Sequence, residues 1–325
     1  VAGSGGGIRT SRGAFPTIEN CVIEHNHADQ GGGLYFGGKG GRVFNCIIRD
    51  NTSDSHGGGI RCLSSSPTIE NCTIVYNRGG TANSGGGVDC AYSPISLVNC
   101  LVSQNHGRAA GGIELRSESD ATVRGCIISE NEGSYLAGAI HAQRCSPTFE
   151  NCLIFGNRAG QEVGWSGALC LDDRAEVSLT NCTIAGNSAD DIPDWSAGGI
   201  RIQSGTASLV NSIVWGNSPN QFRLASTTKV LLNHCNIQGS TPEGYGALLE
   251  TDTIHENPFF VRDWDGSTAD LRLRMGSPCI DAGTTEGAPS HDVAGNPRPV
   301  GEGIDIGAYE GAVYVPSGLS RWILR

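Results

Sequence analysis

Apolar and polar residues alternate along this chain in short runs, and Gly or Asn separates one run from the next. Alternation with a period of two marks strands that are half buried, while Gly and Asn tolerate the positive φ of a tight bend. No stretch shows the 3.6-residue period of an amphipathic helix. The runs also recur as phrases. Asn20-Cys21-Val22-Ile23 followed by Asn26 returns as Asn45-Cys46-Ile47-Ile48 with Asn51, then at Asn71-Cys72, Asn99-Cys100, Asn151-Cys152 and Asn181-Cys182. Weaker copies stand at Gly125-Cys126, Asn211-Ser212 and His234-Cys235. A Gly-Gly-Gly-aliphatic phrase sits between them at Gly5 to Ile8, Gly31 to Leu34, Gly57 to Ile60 and Gly85 to Val88. It degrades later to Gly111-Gly112-Ile113, Gly138-Ala139-Ile140, Gly167-Ala168-Leu169 and Gly198-Gly199-Ile200. Pro-Thr-Ile-Glu at Pro16 and Pro67, with Pro147-Thr148-Phe149-Glu150, supplies a third phrase.

The interval is about 26 residues, and each period holds three strands and three corners. This predicts an all-β solenoid: a right-handed parallel β-helix of about eight to nine coils over residues 1–240. A β-rich end or capping module is expected over 241–325. Equivalent residues of successive coils then stack at roughly the 4.8 Å spacing of neighbouring parallel strands. Asn26, Asn51, Asn77, Asn105, Asn131, Asn157, Asn187 and Asn217 should form one corner ladder, their amides bonding up and down. Asn20, Asn45, Asn71, Asn99, Asn151, Asn181 and Asn211 should form another. The Cys column from Cys21 to Cys182 should point inward, with Cβ vectors parallel instead of facing, so free packed thiols are expected in preference to disulfides.

The N-C-x-I-x-x-N and G-G-G-I pattern resembles right-handed β-helix repeats of bacterial surface and secreted proteins, including polymorphic outer-membrane-type adhesins. The stretches Gly276-Ser277-Pro278-Cys279-Ile280-Asp281-Ala282-Gly283 and Gly303-Ile304-Asp305-Ile306-Gly307-Ala308-Tyr309-Glu310 resemble the end module of such proteins. The resemblance implies an extracellular or cell-surface location. It implies no particular reaction, because this fold serves adhesins, lyases, hydrolases and structural fibres alike.

Composition narrows the partners. Gly is 48 of 325 residues, but its fixed phase argues against a disordered low-complexity chain. A net charge of −11 without any basic run disfavours nucleic acid. No apolar run reaches the ~18–20 residues of a membrane span. The chain starts at Val1 inside a repeat, which reads as a processed or trimmed form whose bare first coil could associate end to end.

Candidate chemistry lies on the strand after the glycine corner. Ile8-type residues point inward there, and the next position forms an outward column: Arg9, Tyr35, Arg61, Asp89, Glu114, His141, Cys170 and Arg201. Two residues on, a parallel column carries Arg116, Gln143, Asp172 and Gln203. Asp89, Glu114, His141, Asp172 and Arg201 are therefore the candidates for acid, base or substrate-charge roles. Tyr135, Trp165 and Trp195, on the loops entering these coils, together with Arg116, could grip sugar rings. The plainer reading is that a solenoid face must be polar and that its charges pair across strands. Asp263, Asp265 and Asp270 have the look of a calcium loop, although Asp-Gly is equally a turn signal; no cofactor is required.

Two functions remain. The first is a structural, adhesive or glycan-contacting extracellular solenoid. The second is a polysaccharide lyase or glycoside hydrolase that uses the middle coils.

Overall fold

The computed structural model describes residues 3–11, 13–82, 84–160, 164–190, 196–239 and 242–314. Three long sheets run the length of the molecule, two with ten strands and one with nine among the described residues. In each, a strand pairs in parallel with its counterpart one period earlier and one later, as the repeat requires. The first sheet begins with Ile8–Thr10 and Leu34–Gly37, the second with Thr17–Glu19 and Arg42–Phe44, the third with Val22–Glu24 and Ile47–Arg49. The chain is thus a parallel β-helix. Its stack runs past residue 240, through Glu243–Gly244 in the first sheet and Ala247–Thr251 in the second.

The core is the interior of the coil. Leu34, Ile60, Val88, Ile113, Ile140, Leu169, Ile200 and Phe222 stack in register on the first sheet. Ile69, Leu97, Val123, Phe149 and Leu179 face them from the second, and Ile48, Ile74, Val102, Ile128 and Ile154 from the third. Volume is exchanged within a coil: where the first sheet offers only Ala142, the second supplies Phe149. Such compensation keeps the interior at close-packed density.

Each corner has its own physical device. Before the first sheet, the middle glycine of each triplet lies against neighbouring coils; a Cβ on Gly86 would stand 2.5 Å from the His106 carbonyl and 2.6 Å from that of Gly111. No side chain fits there. Between the second and third sheets, Asn20, Asn45, Asn71, Asn99, Asn151, Asn181 and Asn211 adopt the left-handed conformation, with φ from 49° to 55°. Asn reaches that region more easily than other side-chain-bearing residues. After the third sheet, the ladder from Asn26 to Asn217 is formed as expected. Asn105, for instance, donates from Nδ2 to Asn131 Oδ1 at 3.0 Å and to the Ile74 carbonyl at 2.8 Å. Gln221 terminates the ladder, accepting from Asn217 Nδ2 at 2.7 Å.

The other asparagine column differs from expectation. Among the described residues it bonds to itself only between Asn45 and Asn20 and between Asn211 and Asn181, because a left-handed residue turns its amide outward. On the later coils those amides hold the C-terminal residues. Asn151 Nδ2 donates to the His291 carbonyl, Asn181 Nδ2 to the Asp305 and Gly307 carbonyls, and Asn211 Nδ2 to the Thr284 carbonyl. The C-terminal residues therefore pack along the flank of the third sheet. Phe260, Leu271, Leu273, Cys279, Ile306 and Ala308 cover its outward residues Leu153 and Ile213.

All thirteen cysteines are free, and twelve are buried. They are more than small hydrophobes: the Cys46 thiol lies 3.3 Å from the Phe44 carbonyl, and the Cys46 amide donates to Cys72 Sγ at 3.4 Å. Ser212 takes the same place in the column, accepting from the Cys182 amide at 3.1 Å.

A sealed ionic column and an open cleft beside it

The outward column of the first sheet is in register as the repeat predicts. Arg9, Tyr35, Arg61, Asp89, Glu114, His141, Cys170 and Arg201 are successive neighbours, continued by Arg223 and Glu243. Arg116 pairs with Gln143, and Gln143 with Asp172, in the companion column.

Its environment is not the expected one. Asp89, Glu114 and Cys170 are wholly buried, and His141 is only 2% exposed. The segments entering the strands of the middle coils fold over the column. Gly85 donates its amide to Asp89 Oδ2 at 3.0 Å, and a Cβ at Gly85 would stand 3.0 Å from the Glu114 Cβ. Further along, Arg108, Tyr135, Trp165 and Arg201 from four consecutive coils form one stack. The Arg108 guanidinium lies 5.2 Å from the Tyr135 ring centre, the Tyr135 and Trp165 centres are 5.3 Å apart, and the Arg201 guanidinium lies 4.2 Å from the Trp165 centre. Aromatic pairs and guanidinium–ring contacts of this kind each stabilise by about 1 kcal/mol. Trp195 lies outside the described residues.

Within the buried column the charges satisfy one another. Asp89 is bonded by Arg61, accepts from Arg116 Nη2 at 3.0 Å and has His56 Nδ1 at 3.6 Å. Burial alone would push the Asp89 carboxyl up; the charge of Arg61, the His56 hydrogen bond and the charge of Arg116 outweigh it and hold the group well below the usual carboxylate range. Arg116 also brings Nε to 3.3 Å from Glu114 Oε1. Glu114 accepts from His141 Nδ1, at 2.9 Å to Oε1 and 3.0 Å to Oε2. Two guanidiniums thus face two carboxylates, and breaking such a buried set by removing one partner typically costs about 3–5 kcal/mol.

A carboxylate that orients an imidazole, with a thiol on the next strand, has the outline of a nucleophile–base–orienter set. Electrostatics oppose that use. A reactive cysteine needs a depressed pKa, whereas burial pushes the Cys170 thiol up to about 12. The His141 Nε2 atom is buried and has no hydrogen-bond partner, so it is not bonded to that thiol. Asp172, two positions along, accepts from the Asp173 amide at 2.7 Å and stays at the half-buried margin.

The acidic loop is a turn by its hydrogen bonds. Asp265 Oδ1 accepts from the Ser267 amide and hydroxyl and the Thr268 amide, each at 2.9 Å. Those bonds, the Thr268 amide foremost, lower its pKa to about 2. Asp270 is turned to Arg272, whose Nε lies 2.8 Å away, and Asp263 is exposed. Among the described residues no three His, Cys, Asp or Glu side chains are grouped to hold a metal ion.

Beyond Arg201 the first sheet is open. A cleft of about 190 Å³ lies there between Arg201, Gln203, Arg223, Ser226 and Tyr245. Sequence reading missed Arg223 and Tyr245, because this coil is shorter and enters its strand through Asn220-Gln221-Phe222 with no glycine phrase. The outward phase of Arg201, carried one strand further, was the signal that remained.

The fold and its repeat agree with what is known of other proteins. The family described as the right-handed beta helix region matches residues 1–109 and 80–191, more than half of the chain, and the protein belongs to that family. Among solved structures, the pectate lyase Pel9A is similar, with a TM-score of 0.53 over 95% of this chain and 84% of that one. At 16% identity this likeness is one of fold alone. No curated protein matches the chain. Among the described residues no helix is long and apolar enough to cross a membrane.

Proposed function

We propose that this protein is an extracellular solenoid that contacts glycans without cleaving them. One observation carries the reading: the acid–base set that the repeat aligns, Asp89 to His141, is paired internally and buried, with His141 only 2% exposed. General acid–base catalysis needs the proton-transfer group within hydrogen-bond reach of the substrate, and a side chain that is 2% exposed offers no such approach. The Arg108–Tyr135–Trp165–Arg201 stack ends in an open cleft furnished with guanidinium, amide, hydroxyl and aromatic groups, which are the groups that recognise sugars.

The competing reading is a polysaccharide lyase, since the protein of similar fold is a pectate lyase and such a fold can place its groove on one sheet face. A panel of acidic and neutral polysaccharides separates the two. The expected outcome is retention of one or more polysaccharides in affinity electrophoresis, with no release of unsaturated or reducing ends by the wild type. Turnover that disappears in His141→Ala, while the variant keeps its circular dichroism spectrum, would establish the lyase or hydrolase reading instead.

A further inference from the structure

We infer that the flank of the third sheet at Asn71, Thr73, Asn99 and Leu101 is a docking site for an extended, uncharged segment of another polypeptide. The inference is independent of the glycan-contacting reading, because it concerns a different sheet. The chain itself shows what such a site holds. Asn-Cys-Thr-Ile occurs twice, at Asn71 to Ile74 and at Asn181 to Ile184. On the later copy, Asn181 Nδ2 donates to the Asp305 and Gly307 carbonyls at 3.2 Å each, and Thr183 Oγ1 accepts from the Ala308 amide at 3.1 Å. The carbonyl of Asn211, one coil on, accepts from the Gly307 amide at 2.8 Å. Ile213, opposite Thr183, lies so close to this segment that a Cβ on Gly307 would stand 2.8 Å from its Cδ1.

The earlier copy has the same parts and no segment over them. Asn71 and Asn99 share the left-handed conformation of Asn181 and Asn211, with φ of 52° and 51° against 49° at both later positions. Leu101 stands opposite Thr73 as Ile213 stands opposite Thr183. Among the described residues, the Asn71 and Asn99 side-chain amides, the Thr73 hydroxyl and the Asn99 carbonyl have no hydrogen-bond partner. Asn71 and Asn99 are exposed and Thr73 and Leu101 half-buried, whereas their four counterparts are buried. The face is continuous with the occupied one: Ile127 already packs against the C-terminal residues, and a cleft of about 630 Å³ opens between Leu101, Ile127 and residues 289–295. The charges beside the strip are paired, Arg42 with Glu70 and Arg124 with Glu150, each at 2.8 Å. What stays open is amide, hydroxyl, carbonyl and aliphatic surface, which matches main chain bearing small or aliphatic side chains. A second copy is a poor source of that segment. Its own residues 304–308 are held by the buried Arg298–Glu310 pair and by Asp305, which accepts from the Asp281 and Gly311 amides.

The test is fluorescence anisotropy with a labelled, end-blocked peptide of residues 303–309 carrying Asp305→Asn, which makes it uncharged, and the same peptide with Gly307→Val in addition. Wild type, Asn71→Gly and Thr73→Arg are compared, each checked for an unchanged melting temperature. Asn71→Gly removes the amide and keeps the bend, since Gly125 occupies the same corner at a φ of 60°. The expected result is saturable binding to the wild type that added salt leaves unchanged. Loss of the amide should weaken it about fivefold, and it should vanish in Thr73→Arg and with the Gly307→Val peptide. No saturable binding, or binding indifferent to Asn71→Gly and Thr73→Arg, would overturn the site. A dimer of the peptide-free protein in sedimentation velocity that Thr73→Arg abolishes would give the face to a second copy and overturn the assignment to another polypeptide. Polysaccharide retention lost in Thr73→Arg would overturn it in favour of a glycan.

Discussion

A single asparagine in this protein does one of two unrelated jobs, and its place in the repeat decides which. Asn105 is buried in a ladder where each amide satisfies both itself and the backbone of adjacent coils. Asn99, six residues earlier, is at the surface because its left-handed φ of 51° turns the chain. The cysteines likewise owe their state to position. Stacked thiols with parallel Cβ vectors pack and bond to carbonyls but do not bridge, and burial pushes Cys145 and Cys235 up to about 12. Native protein should therefore show one fast-reacting thiol towards a disulfide reagent, Cys21, the one exposed cysteine. Denatured and unreduced protein should show all thirteen. A count near zero after denaturation would mean that the column is oxidised and that its packing has been misread.

At the scale of the strand and corner, the seat of the C-terminal residues is written into the bend after the third sheet. In the early coils this left-handed position carries His25, Asp50, Tyr76, Gln104 and Glu130; in the later ones it is Gly156, Gly186 and Gly216. Trp264 explains the change. A Cβ on Gly186 would meet the Trp264 Cβ at 2.5 Å, and one on Gly156 its ring at 2.8 Å. At Gly216 the nearest atom is 3.8 Å away, so only the φ preference is at stake. Gly186→Val should lift Trp264 off the sheet and speed proteolysis within residues 255–314, whereas Gly216→Ala should leave it unchanged. Equal cleavage of the two variants would show that Trp264 does not anchor this segment.

Considered as a whole, the molecule is one β-helix with a flank sewn onto it, and the stitching carries a titration. The Arg298–Glu310 pair is fully buried there, with Arg298 Nη2 reaching Asn151 Oδ1 at 3.2 Å and the Gly307 carbonyl at 3.1 Å. Asp305 beside it is raised to about 6 from an ordinary 3.8, by burial first and by the Glu310 charge in addition. The folded protein thus binds this proton more tightly than the unfolded chain. Between about pH 4 and pH 6 the native state holds more protons, and the Asp305 contribution to stability falls as pH rises through that window. One proton changes stability by at most about 1.4 kcal/mol per pH unit. Urea denaturation of wild type and Asp305→Asn at closely spaced pH values checks this. Whatever its absolute stability, the variant should lack that part of the slope; parallel curves would exclude Asp305 as the titrating group.

Periodicity by itself determined that the chain is a parallel β-helix, which residues stack in which column, and even the register of Arg61, Asp89, Glu114 and His141. These are local facts, because a coil's neighbours in space are its neighbours in the repeat. Only the tertiary structure decided that this column is closed to water and that Asn151, Asn181 and Asn211 bind the returning chain. It also decided that the open cleft falls at Arg201 and Arg223. Burial of an outward residue depends on what folds over it, and neither the Arg108–Tyr135–Trp165–Arg201 stack nor the docking of Trp264 on Gly156 and Gly186 has a period that a sequence can display.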